Sequence, residues 1–252
     1  MTPFEWLAVT YFIALLSAAR RAPRPRRGAL FVGGAIALVI VARFALPWTA
    51  RAWLAHAYLV LGYWIPAAFV PASPNERFER WLAHTDRYLT RAWPVSGTDD
   101  VLELAYLLCY PLVPAAFVSV LTVGTMEDIE RFWVSVLGAG YACYVTLPWT
   151  AARPPRLLNV DPTRVPRALA AVNAMVLGRV GHQLVTFPSG HVAVSVAAAF
   201  AVGRVRPEMG AAFGVVALLI AIAAVAGRYH FVVDVLLGLL VGAVIPGLVL
   251  FI

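Results

Sequence analysis

Long apolar runs alternate with polar connections along the whole chain. The runs cover residues 4–19, 29–46, 53–70, 101–123, 132–150, 189–205, 209–227 and 231–252. A helix that crosses a hydrocarbon core needs roughly 20 predominantly apolar residues, and most of the runs meet or approach that length. The run 4–19 is short and contains Glu5. The run 189–205 would extend only about 25 Å at the helical rise per residue. Eight candidate spans are expected, the first being the weakest. That first run precedes its arginine cluster rather than following one, and shows no small-residue cleavage site, which disfavours a cleaved signal peptide.

Two connections are too long for simple turns, 71–100 and 151–188. In the first, Phe78, Trp81, Leu82, Tyr88 and Leu89 recur at helical spacing among charged residues. This predicts a helix near 76–93 lying in the membrane interface, with Trp and Tyr at head-group depth. The second is rich in Arg and Pro and ends in Phe187-Pro188-Ser189-Gly190-His191. Long connections in compact folds tend to carry function.

Composition narrows the class. The chain is 62% hydrophobic and 13% charged, whereas a soluble domain is about 45–50% apolar and about 25% charged. An ordinary soluble enzyme and a disordered chain are both excluded. All 20 basic residues are arginine, and the net charge is +7. They concentrate in the connections between apolar runs, which fits membrane flanks and anionic head groups rather than nucleic acid. Cys109 and Cys143 lie inside apolar runs without metal-ligand spacing and read as small buried residues. The expected fold is all-α, a polytopic transmembrane helix bundle in a multi-pass location, with the bacterial cytoplasmic (inner) membrane as the expected compartment.

Ionisable groups near spans are expensive, and three clusters collect most of them. They are Arg153-Pro154-Pro155-Arg156, Pro188-Ser189-Gly190-His191, and Arg228-Tyr229-His230 with Asp234. The connection 151–188 begins and ends on one membrane face, and two further spans return the chain to that face at Arg228. All three clusters therefore share one surface. His230 and Asp234 are four apart and would lie on one helix face. A carboxylate there holds an imidazole in one tautomer, which makes His230 a candidate nucleophile. His191 could protonate a leaving alkoxide. Backbone N–H groups of Ser189, Gly190 and His191 at a helix N-terminus would receive phosphate oxygens, with Gly190 permitting close approach. Arg153, Arg156 and Arg228 offer forked donors to the same oxygens. The set suits phosphoryl transfer and requires no metal. His182 fits no motif position and reads as structural, and His56 and His84 as polar groups between helices or at the interface. Asn173 and Gln183 are candidate head-group contacts.

Pro188-Ser189-Gly190-His191 followed by His230-x-x-x-Asp234 resembles the type 2 phosphatidic acid phosphatase superfamily of integral membrane lipid phosphatases and phosphotransferases. The resemblance covers about residues 53–252, a six-span catalytic core, to which 1–52 would add up to two N-terminal spans. It implies that His230 is phosphorylated, Asp234 orients it and His191 is the acid. It further implies metal-independent, cofactor-free hydrolysis of a lipid phosphate monoester or diphosphate. The implied partners are a lipid phosphate and the bilayer, with no nucleic acid. Two positions depart from the family pattern. Thr146 stands where the first motif has Lys, and Ala224 where the third has Arg; Arg228, one helical turn on, would replace the latter. This pattern is similar to the branch containing inositol-phosphoceramide synthases. Transfer of a phospho-head group such as phosphoinositol to another lipid is therefore an alternative reading, and a catalytically inactive membrane scaffold is a second. A transporter using His230 and Asp234 as a proton relay would need charges near the midplane of several spans, and the runs carry none. The arginine cluster at 20–27 argues by the positive-inside rule for a cytoplasmic site, whereas most of the family resembled works on the extracytoplasmic face.

Overall fold

Each of the eight apolar runs holds a helix in the computed structural model, which describes residues 1–71, 73–90, 100–158, 168–181 and 184–249. The first three long helices are α1 (Pro3–Leu15), α2 (Pro25–Ala45) and α3 (Trp48–Trp64), the last continued by a 3₁₀ turn, Ile65–Phe69. Then come α4 (Glu76–Thr90), α5 (Asp100–Leu107), α6 (Cys109–Leu121) and α7 (Met126–Tyr144). Two single turns, α8 (Leu147–Thr150) and α9 (Pro155–Leu158), lead to α10 (Ala168–Val180). The chain closes with α11 (Gly190–Val205), α12 (Pro207–Ala226) and α13 (Val232–Val249). Among the described residues the regular elements are all helical, so the fold is the all-α polytopic bundle expected.

Helix α13 shows why this chain belongs in lipid. Leu236, Leu240, Val244 and Leu248 recur every fourth residue and are exposed, while Asp234, Gly238, Gly242 and Pro246 recur every fourth residue and are buried. The outer stripe is the most apolar part of the helix, the reverse of a water-soluble protein. Where the outside solvent is itself apolar, small residues bring helices together. A Cβ on Gly238 would sit 2.7 Å from the Ser189 carbonyl oxygen, and one on Gly242 would sit 2.5 Å from that of Ala193. These two glycines let α13 lie directly on the α11 backbone.

The number of spans differs from the expectation. Among the described residues, four helices are long and apolar enough to cross a membrane: Pro25–Ala45, Trp48–Phe69, Pro207–Ala226 and Val232–Val249. The α5–α6 pair makes a fifth if its 52° bend is read as one broken span. The remaining runs fall short for separate reasons. Helix α1 has only 13 residues before it tightens into a 3₁₀ turn. Helix α11 has 16. Helix α7 has 19 residues but opens with Glu127, Asp128, Glu130 and Arg131. Buried side chains run the length of α7 and α11, which form the inside of the bundle. A helix enclosed by others need not match the bilayer thickness.

The helix expected near 76–93 is present as α4, Glu76–Thr90; positions 91–93 lie outside the described residues. Leu82 is buried, while Trp81, Tyr88 and Leu89 are exposed beside Arg77, Arg80 and Arg87. Phe78 and Trp81 pack on Phe187, at ring-centroid distances of 5.0 and 6.0 Å. The Asp86 carboxylate accepts the Val232 N–H at the start of α13 (2.9 Å).

Candidate active site

The turn between α12 and α13 sets the position of His230. Helix α12 stops at Ala226, and Arg228 takes the left-handed conformation, φ 56°. The Arg228 N–H donates to the Val225 carbonyl (3.0 Å) and the Tyr229 N–H to the Ala224 carbonyl (2.9 Å). This bond pair closes a helix in a Schellman turn, where the left-handed position is usually glycine. An L-residue there costs about 1–2 kcal/mol. Gly227 precedes it because the Tyr229 ring folds back over this position: a Cβ on residue 227 would lie 2.3 Å from that ring. Arg228 is therefore not on the helix face of Ala224, one turn on, as the spacing suggested. Its side chain does not join the described residues that line the cleft below, though its Nε is buried without a hydrogen-bond partner.

His230 sits two residues before α13 rather than on it. Its spacing to Asp234 nonetheless survives, because Asp234 is in the first helical turn. The His230 Nδ1 to Asp234 Oδ2 distance is 3.1 Å, and both side chains are buried. An ionised carboxylate can only accept, so Nδ1 carries the proton and Nε2 keeps the lone pair. The adjoining α13 backbone fixes the Pro188–His191 segment as well: the Ser189 N–H donates to the Asp234 carbonyl (2.9 Å).

His191, in the first turn of α11, faces His230 at a ring-centroid distance of 5.8 Å. The rings of Tyr63, Tyr106 and Tyr110 surround it at 5.9–6.2 Å. The two histidines line one cleft, together with Tyr63, Tyr106, Arg156 and Tyr229 and with Leu177 and Gly181 at the end of α10.

The structure separates the two arginines of the first cluster. Arg153 donates from its backbone N–H and Nε to Glu79 Oε2 (2.9 and 3.1 Å) and from Nη2 to Oε1 (2.7 Å). These hydrogen bonds hold the Glu79 carboxyl below its ordinary range. Arg153 is half exposed and does not join the described cleft lining. Arg156 does. Its N–H donates to the Arg228 carbonyl (3.0 Å), and its guanidinium lies 5.3 Å over the Tyr229 ring, with Nε buried and unpartnered.

The expected amide cradle is largely occupied from within. Besides the Ser189 N–H on Asp234, the Gly190 N–H donates to Thr186 Oγ1 (2.9 Å). Gly190 is needed for packing: a Cβ would sit 2.2 Å from the Tyr144 ring. Ser189 Oγ is buried without a hydrogen-bond partner. Thr146, where the resemblance leads one to expect lysine, places its hydroxyl against the carbonyls of Phe187 and Cys143 and so ties the end of α7 to the segment that leads into Pro188–His191.

Several residues around the cleft had no role in the sequence reading. Glu103 is buried and accepts from the Tyr229 hydroxyl (2.6 Å) and from Asn173 Nδ2 (2.6 Å). Burial and the bond to Glu103 push the Tyr229 hydroxyl above its ordinary range, so it remains a donor. Asn173 thus serves a carboxylate of the protein rather than a head group. The signal for Glu103 was an acid inside the run 101–123, which the cost of burying charge in a membrane marks as purposeful. His56 is enclosed by Trp53, Phe117 and Trp133. His182 and Gln183 lie outside the described residues. Cys109 and Cys143 are buried free thiols, as expected.

Residues 131–251 match the sequence profile of the PAP2 superfamily. No curated protein and no solved structure gives a match. The matched segment holds Arg156, His191, Tyr229, His230 and Asp234 in one stretch, while Tyr63, Tyr106 and Glu103 come from outside it. That segment, just under half of the chain, is similar to the PAP2 superfamily, which supports an activity of the phosphatase or phosphotransferase type on phosphate esters.

Proposed function

We propose that the cleft hydrolyses a phosphate monoester or diphosphate of a membrane lipid through a phosphohistidine at His230. The observation that carries this reading is the pairing of His230 Nδ1 with Asp234, which leaves Nε2 as the nucleophile, opposite His191 across the cleft. The Nε2 lone pair attacks phosphorus as the bond to the lipid oxygen breaks. His191, protonated, gives its proton to that oxygen. Asp234 stabilises the imidazolium character that develops on His230. Arg156 neutralises charge on the non-bridging oxygens. In the second half a water attacks phosphorus, His191 takes its proton, and the P–N bond breaks to release inorganic phosphate. Arg228 contributes through its carbonyl, which holds the Arg156 N–H, and Ser189 and Gly190 set the start of α11 that carries His191. Arg153 belongs to the docking of α4.

A lipid substrate is supported by the apolar outer surface of the bundle and by α4, which exposes Trp81, Tyr88 and three arginines. The departures at Thr146 and Ala224 favour one further reading, in which an alcohol rather than water receives the phospho group. Purified protein offered a panel of lipid phosphates, with and without inositol, decides both. Release of inorganic phosphate that is inhibited by vanadate and survives excess EDTA is expected. Retention of all phosphate in a new ester would establish transfer instead, and the absence of turnover on every phosphate ester would overturn the proposal.

A further inference from the structure

Glu103 is 2% exposed in an apolar helix, and the mechanism above does not use it. Its Oε2 accepts the Tyr229 hydroxyl, and Asn173 Nδ2 donates both to that carboxylate and to the Glu103 carbonyl (2.9 Å). The Tyr229 ring has two further contacts. Tyr106 stacks on one side at a centroid distance of 4.0 Å and 13° between planes, and the Arg156 guanidinium lies on Tyr229 at 5.3 Å.

Resting on the phosphate-cleft reading, we infer that Glu103 is a positioning residue for Arg156, acting through Tyr229. The bond at the hydroxyl fixes where the ring can lie, and the ring face fixes the plane of the guanidinium, since Arg stacks on aromatic faces. The contrast with Arg153 gives the reason for so indirect a hold. Glu79 contacts Arg153 directly and takes its backbone N–H, Nε and Nη2. A carboxylate bonded in that way to Arg156 would compete with phosphate for the same donors. A neutral ring between Glu103 and Arg156 orients the guanidinium and leaves its Nε without a hydrogen-bond partner among the described residues. The carboxylate stays fixed by Tyr229 and Asn173, as a buried charge must be.

The test uses the full-length purified protein, with turnover of a lipid phosphate and inhibition by orthovanadate as the two readouts. Glu103→Ala should lower kcat/KM and weaken vanadate inhibition, each by roughly tenfold or more, the loss expected when one buried hydrogen bond is removed. Glu103→Gln keeps an oxygen acceptor and should stay within about threefold. In an Arg156→Met background, Glu103→Ala should cost less than about twofold further, because contacts that act through one group are not additive. The same full cost in that background would overturn the inference. Unchanged turnover and inhibition in Arg156→Met alone would instead overturn the reading of the cleft. If Glu103→Ala does not fold, Tyr229→Phe removes only the hydroxyl and keeps the ring that Tyr106 and Arg156 contact. It should reproduce the tenfold loss and the same non-additivity, and wild-type behaviour of Tyr229→Phe would also overturn the inference.

Discussion

Two buried charged pairs stand at opposite ends of the bundle. At one end, Arg51 of α3 meets Glu5 of α1 at 2.6 Å, with side chains 7% and 0% exposed. At the other, His230 meets Asp234 at 3.1 Å, with 4% and 0% exposed. Burial and pairing are nearly the same. What surrounds them is not. Glu5 also accepts the Thr2 N–H (2.8 Å), so its pair locks the start of α1 to the start of α3. The His230 pair borders a cleft in which His191 and Arg156 wait within reach. A buried charge in a membrane protein marks a purpose. Open space and a second reactive group decide whether that purpose is assembly or chemistry.

Substitutions should separate the two ends. The largest effect is expected from His230→Ala, which should lower turnover by more than about 10⁴-fold, as removal of a covalent nucleophile does. Its melting temperature in detergent should remain close to that of the parent protein. At the other end the pattern should invert. Glu5→Gln or Arg51→Met leaves one buried partner uncompensated and should cost about 3–5 kcal/mol of stability. Turnover per folded molecule should not change. The double variant Glu5→Leu with Arg51→Met should recover most of the loss. A tenfold loss of specific activity in the folded single variants would break the comparison.

Within the cleft, the two arginines at 156 and 228 should differ. Arg156→Met removes a charged donor from the reacting phosphate and should cost roughly 100-fold in kcat. Arg228→Gly keeps the carbonyl that holds Arg156 and relieves the left-handed backbone. It should cost at most about tenfold in rate while gaining about 1 kcal/mol in stability. A greater loss from Arg228→Gly than from Arg156→Met would reverse their assignment. The smallest effect concerns Arg153. Arg153→Ala should leave kcat within about threefold, because its guanidinium sits on Glu79, and exposed pairs are worth little. Glu79 has a folded-state pKa below its unfolded value, so its stabilisation is present above about pH 4.5 and is lost as pH falls through the folded pKa. Protease cleavage at α4 should become easier over that acidic range in the parent protein, and the change should be smaller in Arg153→Ala, which keeps only the backbone N–H bond to Glu79.

Much of this arrangement was readable from the chain. The apolar runs located the bundle helices, and the order of the clusters put Arg156, His191 and His230 on one face. Their local geometry was not readable. Arg153 and Arg156 differ by three positions in one Pro-rich stretch, and what separates them is Glu79, 74 residues away, with which only the tertiary fold brings Arg153 into contact. The run 209–227 marked the end of α12, but the left-handed residue is Arg228 rather than glycine, and the helical spacing from Ala224 to Arg228 was carried through the turn. Helices α7 and α11 miss the length or composition of a lipid-facing span because they pack inside the bundle, a demand that hydropathy does not distinguish from contact with lipid.

The most direct test of the central claim traps the covalent intermediate. In His191→Ala, an aryl phosphate with a good leaving group bypasses the need for acid in the first step, while the second step still lacks its base. Labelled phosphate should accumulate on the protein at close to one per chain, in an alkali-stable and acid-labile linkage at His230. It should be absent from the double variant with His230→Ala. Label on another residue, or full turnover with no label retained and none on His230 in the parent protein, would contradict a phosphohistidine mechanism at this cleft.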